Sequence, residues 1–301
     1  MEMTTAMGME FERVEDPAAL PARAADGNKG TFGRVLIVGG NEEMIGAPVL
    51  AGKAALRMGA GLVQVAMPMS VLAAALSICP ELIGLGLSSA SNRKLVEAAS
   101  KADAVVLGPG LGQSPGARKR LLALASAYRT LVLDADGLNL MSAMRKWPAK
   151  FKARAVLTPH PGEMRRLARL LPAKHAGDWI GKGAIPSDAA SREAIAVLAA
   201  RTFGQVIVLK GHKSVVTDGS RIYVNQTGDS TLAKAGTGDI LSGVLGALLG
   251  QQMERFEAAT LAVWLHGRAG ELAGAKHGRR SALGREIIDA LSEAIAQRER
   301  D

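Results

Sequence analysis

Cysteine is almost missing from this chain: Cys79 is the only one in 301 residues. That excludes an intrachain disulfide framework, and no zinc-type spacing is present. Cys79 sits in the apolar stretch ALSICPELIG with no activating motif around it, so it reads as an inert buried thiol. Aromatic residues are scarce as well, at 3%. There is no interleaved aromatic platform for nucleic-acid bases, and the core must be assembled from Ala, Leu, Val, Ile and Met. No uninterrupted apolar run approaches the ~20 residues of a membrane helix. The start, MEMTTAMGMEFERVED, lacks the basic-then-apolar order of a secretory leader. The expectation is a cytoplasmic chain with no membrane or nucleic-acid partner.

Hydrophobic residues make up 48%, enough for one large α/β domain or two modest ones. The net charge is +9, with Lys and Arg gathered at residues 145–154, at Arg165 and Arg166, and at Arg279 and Arg280. Without an arginine-rich tail, this reads as a solvated surface that attracts anionic metabolites.

Short apolar strands alternate with helix-like runs. GRVLIVGG (33–40), GLVQVAMP, AVVL (104–107), 131–133, 155–157 and 205–209 read as strands, and APVLAGKAALRMG has helical spacing. Such strands imply a mostly parallel sheet covered on both faces. Ligands of such sheets bind beyond the strands' carboxyl ends, where the polar motifs of this chain lie. Residues 214–225 flank Asp218-Gly219 as a hairpin. The chain from Glu257 onward reads as helices. Residues 172–190, with Trp179, form the longest loop-like segment, either a lid or a surface excursion. No linker divides the chain, so 1–301 reads as a single domain with residues 1–30 as an N-terminal extension.

The most informative motif is AGTGD (235–239), placed before the apolar run ILSGVLGALLG. Small residues let backbone N–H groups approach a phosphate, and a helix starting near Asp239 adds its positive end. Asp239 would be the only carboxylate at that anion hole, suited to take a proton from a hydroxyl being phosphorylated. The alternative is an Asp capping a helix after a Gly-rich turn.

The other motifs carry similar alternatives. GPGLG (108–112) lacks the GxGxxG spacing and its ribose-binding acid, so it is a turn passing close to a ligand or one needing positive φ. TPHPGE (158–163) is a proline-stiffened loop holding His160 at a strand end, facing a cleft, with Glu163 able to orient metal-bound water. Lys210 beside Gly211 either binds phosphate or solvates a strand end. DADGLN (134–139) holds magnesium through water or caps a short helix. In GNEEMIGAP (40–48), Gly46 and Ala47 are small enough for a ligand to lie across, and Pro48 fits a first helical turn.

Taken in order, KGTFGRVLIVGG, GAPVLAGKAALRMGAGLVQV, GPGLG, LDADGLN, LTPHPGEM, VLKG, AGTGDILSGVLGALLGQ and WLHGRAGELA resemble the NAD(P)H-hydrate dehydratases of the ribokinase-like superfamily. The resemblance implies a three-layer α/β/α sandwich. It implies repair of NADH-hydrate and NADPH-hydrate by phosphorylation of the added hydroxyl and loss of phosphate, with ADP as donor and Mg2+ present. Asp239 would be the base. Ala47, Gly110, Gly112 and His160 would line the hydrate site with it. Lys210, Gly211, His212, Lys213, Ser214, Thr237 and Gly238 would hold the nucleotide, and Glu163 would reach the metal through water. The family also implies a homo-oligomer, expected as a tetramer, and a separate epimerase, since about 30 residues precede the strand at 33–40. The chain departs from the family pattern at Asn28 and in TGDSTLAK. A ribokinase-like kinase of a small vitamin-precursor alcohol would use the same Asp239, and a non-catalytic nucleotide sensor would keep the binding loop.

Overall fold

The computed structural model describes residues 3–6, 9–88, 92–127, 129–144, 151–172 and 188–300. The loop expected over 172–190, Trp179 included, therefore lies outside the described residues except for its ends, as do residues 145–150 of the basic cluster.

The strands are β1 (Met3–Ala6), β2 (Met9–Val14), β3 (Arg34–Val38), β4 (Leu62–Pro68), β5 (Ile83–Leu87), β6 (Ala104–Leu107), β7 (Thr130–Leu133), β8 (Arg154–Leu157), β9 (Val206–Leu209), β10 (Val215–Thr217) and β11 (Arg221–Val224). They form one sheet in the order β1-β2-β11-β10-β9-β8-β7-β6-β3-β4-β5. The run from β9 to β5 is parallel throughout. The expected hairpin around Asp218-Gly219 adds β10 and β11 antiparallel. The helices are α1 (Gly46–Arg57), α2 (Met69–Ile78), α3 (Arg93–Lys101), α4 (Pro115–Ala125), α5 (Asp136–Ser142), α6 (Pro161–Leu167), α7 (Ala189–Phe203), α8 (Thr237–Gly250), α9 (Arg255–His277) and α10 (Gly284–Arg298).

Alternation along the strands makes the three layers. In β3, Val35 and Ile37 enter a core shared with α1, α8, α9 and α10, while Leu36 and Val38 enter the opposite core with α3, α4, α5, α6 and α7. β6, β8 and β9 divide their side chains in the same way. This is why the strand sequences are apolar on both faces: neither face meets water. The fold is the expected α/β/α sandwich.

The segment read as an N-terminal extension joins the sheet: β2 pairs parallel with β11, Ile222 opposite Arg13, and β1 pairs antiparallel with β2. The partner strand lies more than 200 residues away, and only the alternation in MEFERV, which buries Phe11, marked β2 in the sequence.

Two features set up the site. β4 lies on one side of β3 and β6 on the other, so the direction in which successive strands are added reverses between the parallel β3 and β6, which opens a crevice at their carboxyl ends. The glycines of α8 bring that helix close to its neighbours. A Cβ on Gly243 would lie 2.0 Å from the Ala51 carbonyl oxygen in α1, and one on Gly246 would lie 2.5 Å from Val106 in β6. Among the described residues no helix is long and apolar enough to cross a membrane.

Candidate active site

α8 begins where AGTGD was expected to start a helix. Its N-cap, Gly236, has φ +91° and offers no side-chain cap, so the first amides of the helix remain open. Asp239 stands in that first turn. Lys210, just past the end of β9, reaches over it: a Cβ on Gly238 would lie 3.3 Å from Lys210 Nζ.

Asp239 is not the only carboxylate there, contrary to the sequence reading. Asp134, at the end of β7 and 2% exposed, accepts from Lys210 Nζ at 2.6 Å and from Ser242 Oγ at 2.7 Å. Glu163, 4% exposed, lies 3.9 Å from Lys210 Nζ. Lys210 thus neither solvates a strand end nor stands ready as a free charge; it is the counterion of buried acids. Burial pulls its ammonium down, but Asp134 and Glu163 outweigh burial and hold it above the ordinary lysine range.

One cation among three carboxyls leaves charge uncompensated. Burial, then the charge of Asp134, pushes Asp239 up to about 7 against the pull of Lys210. Burial pushes Glu163 to about 7 as well. A carboxyl with a pKa near neutrality, beside open helix amides, is equipped to accept a proton from a hydroxyl.

His160 caps α6. Its Nδ1 accepts from the Gly162 amide at 3.0 Å, while Glu163 Oε2 accepts from the His160 amide at 2.8 Å, forming a capping box. The ring is about half exposed, and Nε2 lies 3.5 Å from Glu163 Oε1. Burial, then Lys210, lowers its pKa, so it is neutral at physiological pH. Asp136, in the first turn of α5, accepts from the Gly112 amide at 2.9 Å. Of the two DADGLN carboxylates, then, one organises the GPGLG turn and the other holds Lys210.

The GPGLG turn lies at the crevice between β3 and β6. Gly40 donates to the Pro109 carbonyl at 2.9 Å, and Asn41 Nδ2 donates to the Gly110 carbonyl at 3.0 Å. Gly108 has φ +134°, and a Cβ there would lie 1.8 Å from the Asp134 carbonyl oxygen. The positive φ expected of this turn is present at Gly108, Gly110 and Gly112, and the close approach at Gly108 is to the Asp134 backbone. Ala47 is buried in the first turn of α1, and no heavy atom lies within 4 Å of a Cβ built on Gly46.

Beside this cluster is a cavity of about 400 Å³. All seven residues expected at the nucleotide, Lys210 to Ser214 with Thr237 and Gly238, line it. Ala47, Gly110, Gly112, His160, Glu163 and Asp239 do not; they border the neighbouring crevice or the carboxylate cluster. The sequence reading missed Asn225, Thr227, Asp229 and His266, which also line the cavity. His266 carries no motif of its own inside WLHGRAG. Burial pushes it down to about 4, so it is neutral, and its Nε2 is buried without a hydrogen-bond partner. Asp229 is fixed at the rim by Arg279 at 2.8 Å.

A parallel sheet between two helical layers, with a glycine-rich helix start, a neutral-range acid and an adjoining cavity at its carboxyl ends, defines a ribokinase-like protein. The NAD(P)H-hydrate dehydratase family model matches residues 35–293. This chain belongs to that family. An ADP-dependent (S)-NAD(P)H-hydrate dehydratase of Neisseria meningitidis is 37% identical over 266 residues, covering 85% of this chain and 82% of that protein. A bifunctional NAD(P)H-hydrate repair enzyme of Moorella thermoacetica is 35% identical over 94% of this chain. The chain spans about half the length of such bifunctional relatives, 53% in that case. The Bacillus subtilis ADP/ATP-dependent NAD(P)H-hydrate dehydratase, co-crystallised with ATP/Mg2+, superimposes with a TM-score of 0.76 at 29% identity, covering 93% of this chain and 95% of that one.

Proposed function

We propose that this chain dehydrates (S)-NADH-hydrate and NADPH-hydrate to NADH and NADPH, converting ADP to AMP and phosphate. The observation that carries the reading is Asp239: a half-buried acid with a neutral-range pKa at the open N-terminus of α8, beside the cavity lined by the nucleotide loop. Asp239 takes the proton of the added hydroxyl as its oxygen attacks the terminal phosphorus of ADP, and AMP leaves. The resulting phosphate ester then loses phosphate as the ring nitrogen's lone pair pushes, and loss of a ring proton restores the double bond. Hydroxide is a poor leaving group and phosphate a good one, which is why a dehydratase needs a phosphoryl-transfer site. Ala47, Gly110 and Gly112 at the β3/β6 crevice, and His160 beside the carboxylate cluster, would line the hydrate. Lys210 and Gly238 sit between crevice and cavity, where the transferring phosphoryl group passes.

Among the described residues no group of three or more His, Cys, Asp or Glu is arranged to hold a metal. The all-oxygen acids at the cleft fit a magnesium carried mainly by nucleotide phosphates and waters, with Glu163 reaching it through water. When bound, that ion would neutralise charge on the phosphates.

The chain works on metabolites of the cytoplasm, together with an epimerase activity that interconverts the hydrate epimers. A homo-oligomer, expected as a tetramer, belongs to the same reading; β5 is an edge strand, and Ile83 on it and Met69 and Ile78 at the two ends of α2 are exposed apolar residues.

The test is incubation of purified protein with NADPH-hydrate, magnesium and either ADP or ATP, following the near-ultraviolet absorbance that intact dihydronicotinamide has and the hydrate lacks. A rise that requires ADP supports the reading. A rise only with ATP replaces the donor. No rise from protein that still binds ADP favours a small-alcohol kinase, and no turnover of either kind favours a nucleotide sensor.

A further inference from the structure

The loop expected at the nucleotide is shaped from behind by a residue no motif marked. Arg192, in the first turn of α7, aims its guanidinium at three carbonyls, those of Leu209 at the end of β9 and of Lys210 and His212 in the loop after it. Its Nη1 donates to the His212 carbonyl at 2.5 Å, and its Nη2 lies 3.3 Å from the Leu209 oxygen and 3.4 Å from the Lys210 oxygen.

In a trans peptide the C=O and the following N–H point in opposite directions. Turning the Lys210 and His212 carbonyls toward Arg192 therefore turns the amides of Gly211 and Lys213 away from it. Those amides and that of His212 take no part in the backbone hydrogen bonds among the described residues. Their residues line the cavity. The conformation is not one the chain relaxes into unaided. Gly211 has φ +147°, and Lys213, a non-glycine residue, sits in the left-handed region at φ +55°. A Cβ on Gly211 would lie 2.8 Å from Arg192 Nη2, so glycine is what allows the guanidinium to come so close.

We propose that Arg192 is a positioning residue for nucleotide binding: by gathering the carbonyls of Leu209, Lys210 and His212, it presents the Gly211 and Lys213 amides to the phosphates of the bound nucleotide. The proposal rests on the reading of this cavity as the nucleotide site. Arg192 touches no reacting atom, and its action is confined to the loop. It therefore predicts a selective effect, where a simple brace between α7 and β9 would predict a general one. Lysine, with one point charge, cannot span three carbonyls as the planar fork does.

The experiment compares wild type, Arg192→Lys, Arg192→Ala and Gly211→Ala in steady-state kinetics with NADPH-hydrate and ADP, with calorimetric titration of ADP and thermal melting without nucleotide. The expected result for all three variants is a rise in the KM and Kd for ADP of about ten- to a hundredfold, the size of one to two lost charge-assisted hydrogen bonds. The KM for the hydrate stays within about twofold. Added guanidinium ion lowers the ADP KM of Arg192→Ala and leaves that of wild type unchanged. An unchanged ADP affinity in Arg192→Ala, or equal losses for both substrates with a lowered melting temperature and no rescue, overturns the proposal. If wild type itself binds neither ADP nor ATP, the nucleotide-site reading falls and the role of Arg192 falls with it. That outcome differs from wild type binding normally with variants unaffected, which removes Arg192 alone.

Discussion

Lys210 Nζ and Asp134 Oδ1, 76 residues apart in sequence, meet at 2.6 Å beneath the N-terminus of α8. Asp134 is almost completely enclosed and has one other partner, Ser242. Removing the ammonium leaves a buried carboxylate without a counterion. Lys210→Met should therefore cost about 3–5 kcal/mol in urea denaturation near neutral pH. The double variant with Asp134→Asn should recover part of that loss. Equal losses in the single and double variants would show that the pair is not coupled.

Asp239→Asn should separate chemistry from stability. Loss of the base should lower kcat by about 10²–10⁴-fold while ADP affinity persists. Burial, with Asp134 second, raises the Asp239 carboxyl from 3.8 to about 7. The folded chain therefore holds that proton more tightly than the unfolded chain does. The stability linked to it is complete below 3.8 and lost as pH rises through about 7. Asparagine does not ionise, so the variant should melt higher than wild type above neutrality, with the gap closing on acidification. A variant that melts lower than wild type at every pH would contradict this.

The pH–rate profile should carry an acid limb near neutrality, with activity rising as Asp239 ionises. Glu163 titrates in the same range and adds to the upward shift of Asp239, so the limb belongs to the pair. In Glu163→Gln one negative neighbour is gone, and the limb in kcat/KM should move to lower pH whatever the loss in rate. A limb that stays fixed would remove the coupling.

Two glycines at the crevice should behave oppositely. Gly108 combines positive φ with backbone contact, so Gly108→Ala should destabilise by about 3 kcal/mol or more. Gly46 heads a helix and faces open space. Gly46→Ala should stabilise by about 0.4–1 kcal/mol, yet raise the KM for the hydrate, because the added methyl enters the crevice. Thermal melts alongside hydrate titrations would read both; an unchanged KM in Gly46→Ala would place the hydrate elsewhere.

The parts of this architecture written in short apolar runs were legible. AVVL, bounded by Asp103 and Gly108, marks β6 from Ala104 to Leu107, and Asp218-Gly219 marks the hairpin. The helix start within AGTGD and the cavity-lining loop after β9 were legible because glycines there leave a local signature. Relations between distant residues were not. β2 finds its place only against β11, and the crowding of Asp134 and Glu163 around Lys210 depends on three strand ends converging. Arg192 gives no sequence signal either, since its partners are carbonyls, which every residue carries.

The most direct test follows the oxygen of the added hydroxyl. NADPH-hydrate labelled with 18O at that position is turned over with ADP, and the released phosphate is analysed by mass spectrometry. If the hydroxyl is phosphorylated before it leaves, the label appears in inorganic phosphate, one labelled phosphate for each NADPH restored. Label found in water instead, with unlabelled phosphate, would mean that dehydration and nucleotide cleavage are separate events and would contradict the account.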